Sequence, residues 1–140
     1  MIYPANFETR IGFDVVRQEV EKRCISTLGV TYCQKMQFSS QFDEVKAWLS
    51  QTNEFLAILQ SKQEFPLNYF FDLRVPLKTI STPGSYISAE NLFDLQRSLN
   101  TISDIIKFFR FDEEGNTPYP YLRRLTDGML SFPEIVSEAN

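Results

Sequence analysis

The sequence contains no histidine, only two cysteines and no long apolar run. Without histidine, the side chain that most often transfers protons near neutral pH is missing. Cys24 and Cys33 are nine residues apart, and no histidine can complete a zinc set with them. We expect two half-buried free thiols in a reducing compartment, with a disulfide as the alternative. The glycines nowhere form the G-x-x-x-x-G-K-[ST] loop that holds nucleotide phosphates, so no such site is expected within the chain.

Clustered positive charge is also missing. The chain has 14 Lys and Arg against 18 Asp and Glu, a net charge of −4. Binding to a phosphate backbone needs a basic patch, and the densest basic spot is only the pair Arg123 and Arg124, which we interpret as a solvated helix face. The N-terminus resembles no signal peptide, and no apolar stretch is long enough to span a bilayer. These features predict a cytoplasmic protein that does not bind nucleic acid through this chain alone.

The composition, with 43% hydrophobic residues and 13 Phe, favours a folded domain with a real core. Apolar residues step 3-4-3-4-3 along two segments and predict two long helices, at about 42–62 and 88–111. The first stripe comprises Phe42, Val45, Leu49, Thr52, Leu56 and Leu59, and Trp48, Phe55 and Ile58 widen it. The second comprises Leu92, Leu95, Leu99, Ile102, Ile106 and Phe109. Each stripe is expected to be the buried face of its helix.

Shorter helices are predicted around these two. Five of them are expected at 4–10, 28–36, 75–80, 120–130 and 132–140. Another is expected to begin at Asp14, with Phe13, Val16, Val20 and Cys24 at helical spacing. The expected N-caps are Asp14, Thr27, Ser40 with Asp43, and Ser88.

Pro66, Pro76 and Pro83 forbid a long helix between the two long ones. A short extended stretch at 68–72 and a turn at 82–85 are expected there, with the aromatic residues of this segment packed on the helices. The fold class is therefore all-α: an irregular multi-helix bundle forming a single helical domain over 1–140. No closing signal follows the last helix near Asn140, so we expect a piece of a longer chain.

Two acidic groups are candidates for acid–base chemistry: Asp43 with Glu44, and the run 112–114. Adjacent carboxylates on exposed elements are mostly solvated surface, so no catalytic, cofactor-binding or metal-ligating residue is assigned. Trp48, Phe55 and Phe108 beside the stripes, and Phe109 at the end of the second stripe, are predicted to be either core or a seam for a partner helix.

The order of these segments resembles the N-terminal region of the MutS family, and most of all its second, Smr-tailed branch. The segments IGFDVVR (11–17) and STLG (26–29) are similar to the family's opening "L-x-F-D-x-[IV]" and "S-x-L-G" elements. The segments FDEVKAWL (42–49) and TNE (52–54) resemble "V-x-x-x-L-x-x-T-x-E". The segments DLR (72–74), LK (77–78) and 84–92 resemble the stretch that begins "D-[IL]-R-x-x-L". The likeness covers about residues 7–135, although Ile80 and Ser81 stand where a small residue is usual.

The resemblance implies a helical core that joins lever arms to an ATPase. It also implies a full-length homodimeric ATPase, with ATP and magnesium as cofactors, acting on mismatched, branched or recombining DNA. Members of the second branch often carry a nuclease domain as well. On this interpretation the fragment is a non-catalytic scaffold without a cofactor, and its partners are the remaining lever and ATPase domains of its own chain. A free-standing helical protein-interaction module is the alternative, and a small enzyme using acidic residues is a third.

Overall fold

The computed structural model describes residues 4–138, and over this range it contains eight helices and no strand. The all-α prediction is confirmed. None of the described helices is both long and apolar enough to cross a bilayer. The chain divides into two compact units, of which the first ends in the sequence at Phe38 and the second begins at Ser39. The predicted single domain over 1–140 stays a prediction.

The first unit contains α1 (Phe7–Arg10), α2 (Phe13–Glu21) and α3 (Thr27–Gln34). Gly12 separates α1 from α2 with a left-handed φ of 77°, which favours glycine because it has no Cβ. The helix therefore restarts at once at Phe13, and Asp14 lies inside its first turn. The prediction of Asp14 as N-cap was wrong for this reason. In α3 the cap is Ser26, one residue before the predicted Thr27, and its Oγ accepts a hydrogen bond from Gly29 N at 3.2 Å.

Arg17 holds the first unit together. Its guanidinium donates to Glu8 Oε2 of α1 and to the carbonyl of Met36 after α3, each at 2.8 Å, and lies over the Phe13 ring at 5.1 Å. One side chain therefore ties α1, α2 and the end of α3 together. Val16 and Val20, which lie at helical spacing, are exposed on α2.

The second unit contains α4 (Phe42–Gln60), α5 (Arg74–Ile80), α6 (Ala89–Phe108), α7 (Pro120–Leu125) and α8 (Pro133–Glu138). The two long helices match the predicted ranges to within three residues. The predicted helix at 120–130 ends earlier, because after Arg124 the chain closes tight turns such as Met129 N to Thr126 O at 3.1 Å. The part of the last predicted helix beyond Glu138 lies outside the described residues.

The proline-rich connection between α4 and α6 packs onto the helices, as predicted. The Phe65 ring contacts Phe55 at 5.2 Å and Phe108 at 5.1 Å between centroids. The hydroxyl of Thr101 in α6 donates to the Asn68 carbonyl at 2.7 Å. The expected extended stretch at 68–72 is not formed, since Tyr69 has a left-handed φ of 55°. The turn at 82–85 is present, closed by Ser85 N to Thr82 O at 3.1 Å.

Candidate interaction surface

The acidic candidates do not form a site. Asp43 and Glu44 are exposed in the first turn of α4, where the helix dipole favours negative charge. Asp112 has a structural task, because its Oδ1 accepts the backbone N–H of Glu114 at 3.1 Å and of Asn116 at 2.7 Å. Within residues 4–138 no group of three or more acidic or cysteine side chains is placed to hold a metal ion.

The side chains of the basic pair, Arg123 and Arg124, pack against neighbouring side chains. The Arg123 guanidinium contacts Asp127 and lies over the Phe111 ring at 4.8 Å, while Arg124 lies over Tyr121 at 5.3 Å. Arg123 is therefore held in a local ion pair and both guanidinium groups rest on rings, an arrangement that fits a helix face better than a phosphate-binding groove.

The cysteines are both free thiols, as expected. Cys24 is partly exposed, and Cys33 is buried with its Sγ 3.5 Å from the Arg17 carbonyl. Burial raises the pKa of the Cys33 thiol, because desolvation disfavours the thiolate; Cys24 and Glu21 add to the rise, and Arg17 opposes it. Cys33 is therefore suited to packing and not to nucleophilic chemistry.

The aromatic residues beside the stripes divide into two groups. Phe55, Phe108 and Phe109 join Phe65 and Tyr119 in one cluster of edge-to-face and stacked rings, in which Phe109 is fully buried. Of the two alternatives predicted for Phe109, core and partner seam, the core alternative is therefore confirmed. Trp48 remains 44% exposed.

The largest departure from the sequence prediction concerns α4. The stripe that was expected to be buried is its outer face: Phe42 is 76% exposed, Leu49 66% and Leu56 49%, and Thr52 and Leu59 are exposed as well. The packed side is nearly opposite and is centred on Ile58, which is 1% exposed. The prediction is therefore confirmed for Ile58, one of the residues expected to widen the stripe, and wrong for the stripe itself. Periodicity showed that apolar residues share a face, but it could not show which of two apolar faces the rest of the fold covers.

We name the outer face, formed by Phe42, Val45, Leu49, Thr52, Leu56 and Leu59, the α4 outer face. A shallow groove of about 340 Å³ lies on its N-terminal half, lined by Phe42, Val45, Lys46, Leu49, Ser50 and Asn53. Contiguous apolar surface on one side of a helix is typical of a protein-interaction site. On α6, by contrast, the predicted stripe is half-buried to fully buried, as predicted.

Three polar residues of the family-like motifs, Ser26, Asp72 and Ser88, lie at helix starts. Besides Ser26, Ser88 caps α6 as predicted by accepting Asn91 N at 3.2 Å. Asp72 precedes α5, where its Oδ1 accepts Arg74 N at 3.2 Å and its carboxylate pairs with the Arg74 guanidinium at 2.6 Å. At the start of α4, however, Gln41 is the capping position without a side-chain bond, so the predicted Ser40 cap was wrong. The neighbouring Ser39 hydroxyl contacts Glu44 instead.

Glu54 is a motif residue whose hydrogen-bond partners lie far away in the sequence. Its carboxylate accepts the backbone N–H groups of Tyr121 at 3.0 Å and of Leu122 at 2.8 Å. These are the second and third residues of α7, whose first residue, Pro120, has no N–H. Glu54 thus caps α7 from another helix, a task that the motif spacing alone did not reveal.

Arg97 was not anticipated from the sequence. Its guanidinium lies over the rings of Tyr69 at 4.5 Å, Phe71 at 4.7 Å and Phe93 at 4.7 Å, and pairs with Asp94 at 3.0 Å. Arg97, which lies in α6, therefore holds the connection before α5 against α6. The i,i+4 spacing of Phe93 and Arg97 on α6 is visible in the sequence, but no local signal could have shown the contacts with Tyr69 and Phe71, which lie in the connection before α5.

This geometry defines the class: an all-helical domain whose motif residues cap helices, with an exposed apolar face on α4. No protein-family model matches the chain, and no solved structure does. The chain is 28% identical over 125 residues to "Endonuclease MutS2" of Geobacillus sp. (strain WCH70), covering 89% of this chain and 16% of that relative. It is 23% identical over 130 residues to the protein of the same name from Finegoldia magna, covering 93% of this chain and 16% of the relative.

A third relative of that name, from Alkaliphilus metalliredigens, is 26% identical over 116 residues, which is 83% of this chain and 14% of the relative. The predicted resemblance is therefore confirmed: this chain is related in sequence to MutS2 proteins over most of its length. It spans only about a sixth of the length of these relatives.

Proposed function

We propose that this chain is a non-catalytic scaffold domain of a MutS-type DNA-dependent ATPase that serves DNA mismatch repair or the control of recombination. The observation that carries the proposal is the role of the family-like polar residues, which cap helices. Ser26, Glu54, Asp72 and Ser88 all accept hydrogen bonds from backbone N–H groups at helix starts. Residues used in this way build a framework, and none of them converges with another on a common point where chemistry could occur.

The parent protein, on this proposal, binds ATP with magnesium and contacts mismatched or branched DNA through parts outside this chain. The relatives' name, "Endonuclease MutS2", supports an endonuclease activity of the parent as part of the same proposal. The homodimer expected for the full-length protein, and the lever and ATPase domains as partners of this chain, belong to the same proposal. The net charge of −4 supports the absence of a DNA site in the chain itself.

A domain exchange tests the proposal. The matching segment of the Geobacillus sp. (strain WCH70) relative is replaced by this chain, and DNA-stimulated ATP hydrolysis is compared with that of the unaltered relative. The same relative without the segment is the control. We expect the exchange protein to retain hydrolysis and the deletion to lose it. A well-folded exchange protein without hydrolysis, or ATP turnover by the isolated chain, contradicts the scaffold proposal.

The second candidate is a free-standing helical interaction module, which the exposed α4 outer face and Trp48 favour. The open reading frame beyond codon 140 separates the two candidates. A downstream G-x-x-x-x-G-K-[ST] motif supports the scaffold. A stop codon at 141 favours the module, and Trp48→Ala should then weaken partner binding without loss of helicity.

A further inference from the structure

We propose that Cys24 and Cys33 form a redox-sensitive dithiol site, which a small-molecule disulfide such as glutathione disulfide converts into an intramolecular disulfide. The proposal goes beyond the function proposed above and does not depend on it. It begins from the two free thiols of the first unit, of which one follows the end of α2 and the other lies in α3. The chain has no other cysteine, so an intramolecular disulfide can only join these two.

The two sulfur atoms lie along the same helix, α2. Cys24 Sγ is 3.4 Å from the Val20 carbonyl oxygen, and Cys33 Sγ is 3.5 Å from the Arg17 carbonyl oxygen. Arg17 and Val20 are three residues apart on α2, and residues at this spacing are neighbours on one helix face. The fold therefore places the two thiols at adjacent turns of α2.

The contact of Cys24 with α3 gives the same spacing from the other side. A Cβ on Gly29 would lie 3.4 Å from Cys24 Cβ and 3.5 Å from Cys24 Sγ, so Cys24 packs directly against Gly29. Cys33 follows Gly29 by four residues in α3, and Cβ atoms at that spacing are about 5–6 Å apart. The Cβ atoms of Cys24 and Cys33 are therefore at most about 9 Å apart.

A small movement of the connection between α2 and α3 closes this distance. A disulfide needs Cβ atoms about 3.5–4.5 Å apart, so the shift required is smaller than one helical turn, about 5.4 Å. Cys24 lies in the connection, where its N–H closes a turn to the Glu21 carbonyl at 3.1 Å. A connection shifts more easily than the interior of a helix, and Gly29 places no side chain between the two thiols.

The reaction begins at Cys24, which is partly exposed, whereas Cys33 is buried. After losing its proton to solvent, the Cys24 sulfur attacks one sulfur of glutathione disulfide, and one glutathione thiolate leaves. The Cys33 thiol then loses its proton, its sulfur attacks the Cys24 sulfur, and the second glutathione leaves as a thiolate. The protein has lost two electrons and two protons, and glutathione disulfide has been reduced to two glutathione molecules.

Burial shields Cys33 from reagents in solution but not from a sulfur that its own unit brings to it. Because burial raises the pKa of the Cys33 thiol, the second step should accelerate as the pH rises and more thiolate forms. The resulting bond fastens α3 to the end of α2. The oxidised chain should therefore unfold at a higher urea concentration than the reduced chain, because the bond restricts the unfolded state.

Incubation of the 140-residue chain at a series of ratios of reduced to oxidised glutathione, followed by mass spectrometry, tests the site. We expect the native wild-type chain to lose two hydrogens. Its disulfide should be at least about tenfold more stable toward glutathione than the same disulfide in urea. Cys33→Ser should instead stop at a mixed disulfide of Cys24 with glutathione, and Cys24→Ser should stay unmodified. Cys33→Ala replaces Cys33→Ser if serine lowers the helicity measured by circular dichroism.

Tyr32→Cys in a Cys33→Ser background is the matched control. It moves the second thiol by one residue along α3, to a position that is 76% exposed, and hardly changes its separation from Cys24 in the chain. In urea the control pair should form a disulfide as readily as the wild-type pair. In the native state we expect its disulfide to be at least about tenfold less stable than that of the wild type.

Three results would each overturn the proposal. The first is a native wild-type chain that accumulates only the mixed disulfide with glutathione. The second is a native disulfide that is no more stable than the disulfide of the chain unfolded in urea. The third is a control pair that forms its disulfide in the native state as readily as Cys24 and Cys33 do.

Discussion

The carboxylate of Glu54 in α4 accepts the backbone N–H of Leu122 in α7 at 2.8 Å, across 68 positions of sequence. The same carboxylate accepts the N–H of Tyr121, so two of the unpaired donors at the start of α7 are satisfied by one side chain. Since α7 is only six residues long, its own helical bonds cannot fix its position. The interaction with Glu54 therefore anchors α7 to α4.

Glu54→Ala should lower the free energy of unfolding by about 1–2 kcal/mol, because two N–H groups lose a charged acceptor. Glu54→Gln should lower it less, since the amide oxygen still accepts one bond. Urea denaturation followed by circular dichroism measures both. Glu113→Gln, an exposed acidic residue in a turn, is the control and should change stability little. Equal losses for Glu54→Ala and the control would show that the anchor contributes nothing.

Ile58→Ala should destabilise the protein by about 2–5 kcal/mol, because it leaves a cavity at a fully buried position. Leu56→Ala, two residues earlier on the exposed side, should change the free energy of unfolding by less than about 0.5 kcal/mol. Denaturation at a concentration where the chain is monomeric compares the two. The reverse ranking would restore the original expectation that the 3-4-3-4-3 stripe of α4 is its buried face.

Arg97→Lys should lower the free energy of unfolding by about 1 kcal/mol. A lysine keeps the charge but loses the planar group that lies over Tyr69, Phe71 and Phe93. Arg110→Lys, at an exposed position after α6, is the matched control. Thermal unfolding of both variants measures the difference, and a control that is as destabilised as Arg97→Lys would contradict a role for the rings.

Cys24 should react with iodoacetamide faster than Cys33 in the folded protein, because Cys33 is buried and its thiol pKa is raised. Mass spectrometry of timed samples gives the two rates. Faster labelling of Cys33 would contradict the burial that the structure assigns to it.

The raised pKa of Cys33 also has a consequence for stability. The native state holds the thiol proton more tightly than the unfolded chain, so the stabilisation is complete below the unfolded thiol pKa, about 8.5. It is lost as the pH rises through the higher folded pKa. Unfolding measured between neutral and alkaline pH should thus show a smaller alkaline loss in Cys33→Ala than in the wild type. An identical pH profile would contradict this linkage.

The helix positions were largely predictable because their signals are local. The spacing of apolar residues predicted α4 and α6. Ser88 indicated the start of α6, because its side chain accepts a hydrogen bond from the backbone of Asn91, only three positions away. The errors at Asp14 and Ser40 were also local. A left-handed glycine at 12 allowed α2 to begin earlier than its acidic residue suggested, and Gln41 took the capping position of α4.

By itself the sequence determined the all-α class, the lengths of the two long helices and the lack of clustered basic residues, all of which follow from composition and short-range spacing. Its motifs also determined the resemblance to the MutS family. Only the tertiary structure decided which side of α4 is buried, that Glu54 caps α7, and that Arg97 lies over the rings of Tyr69 and Phe71. These outcomes depend on groups tens of residues apart, and a helix with two apolar faces contains no local signal that says which one the fold will cover.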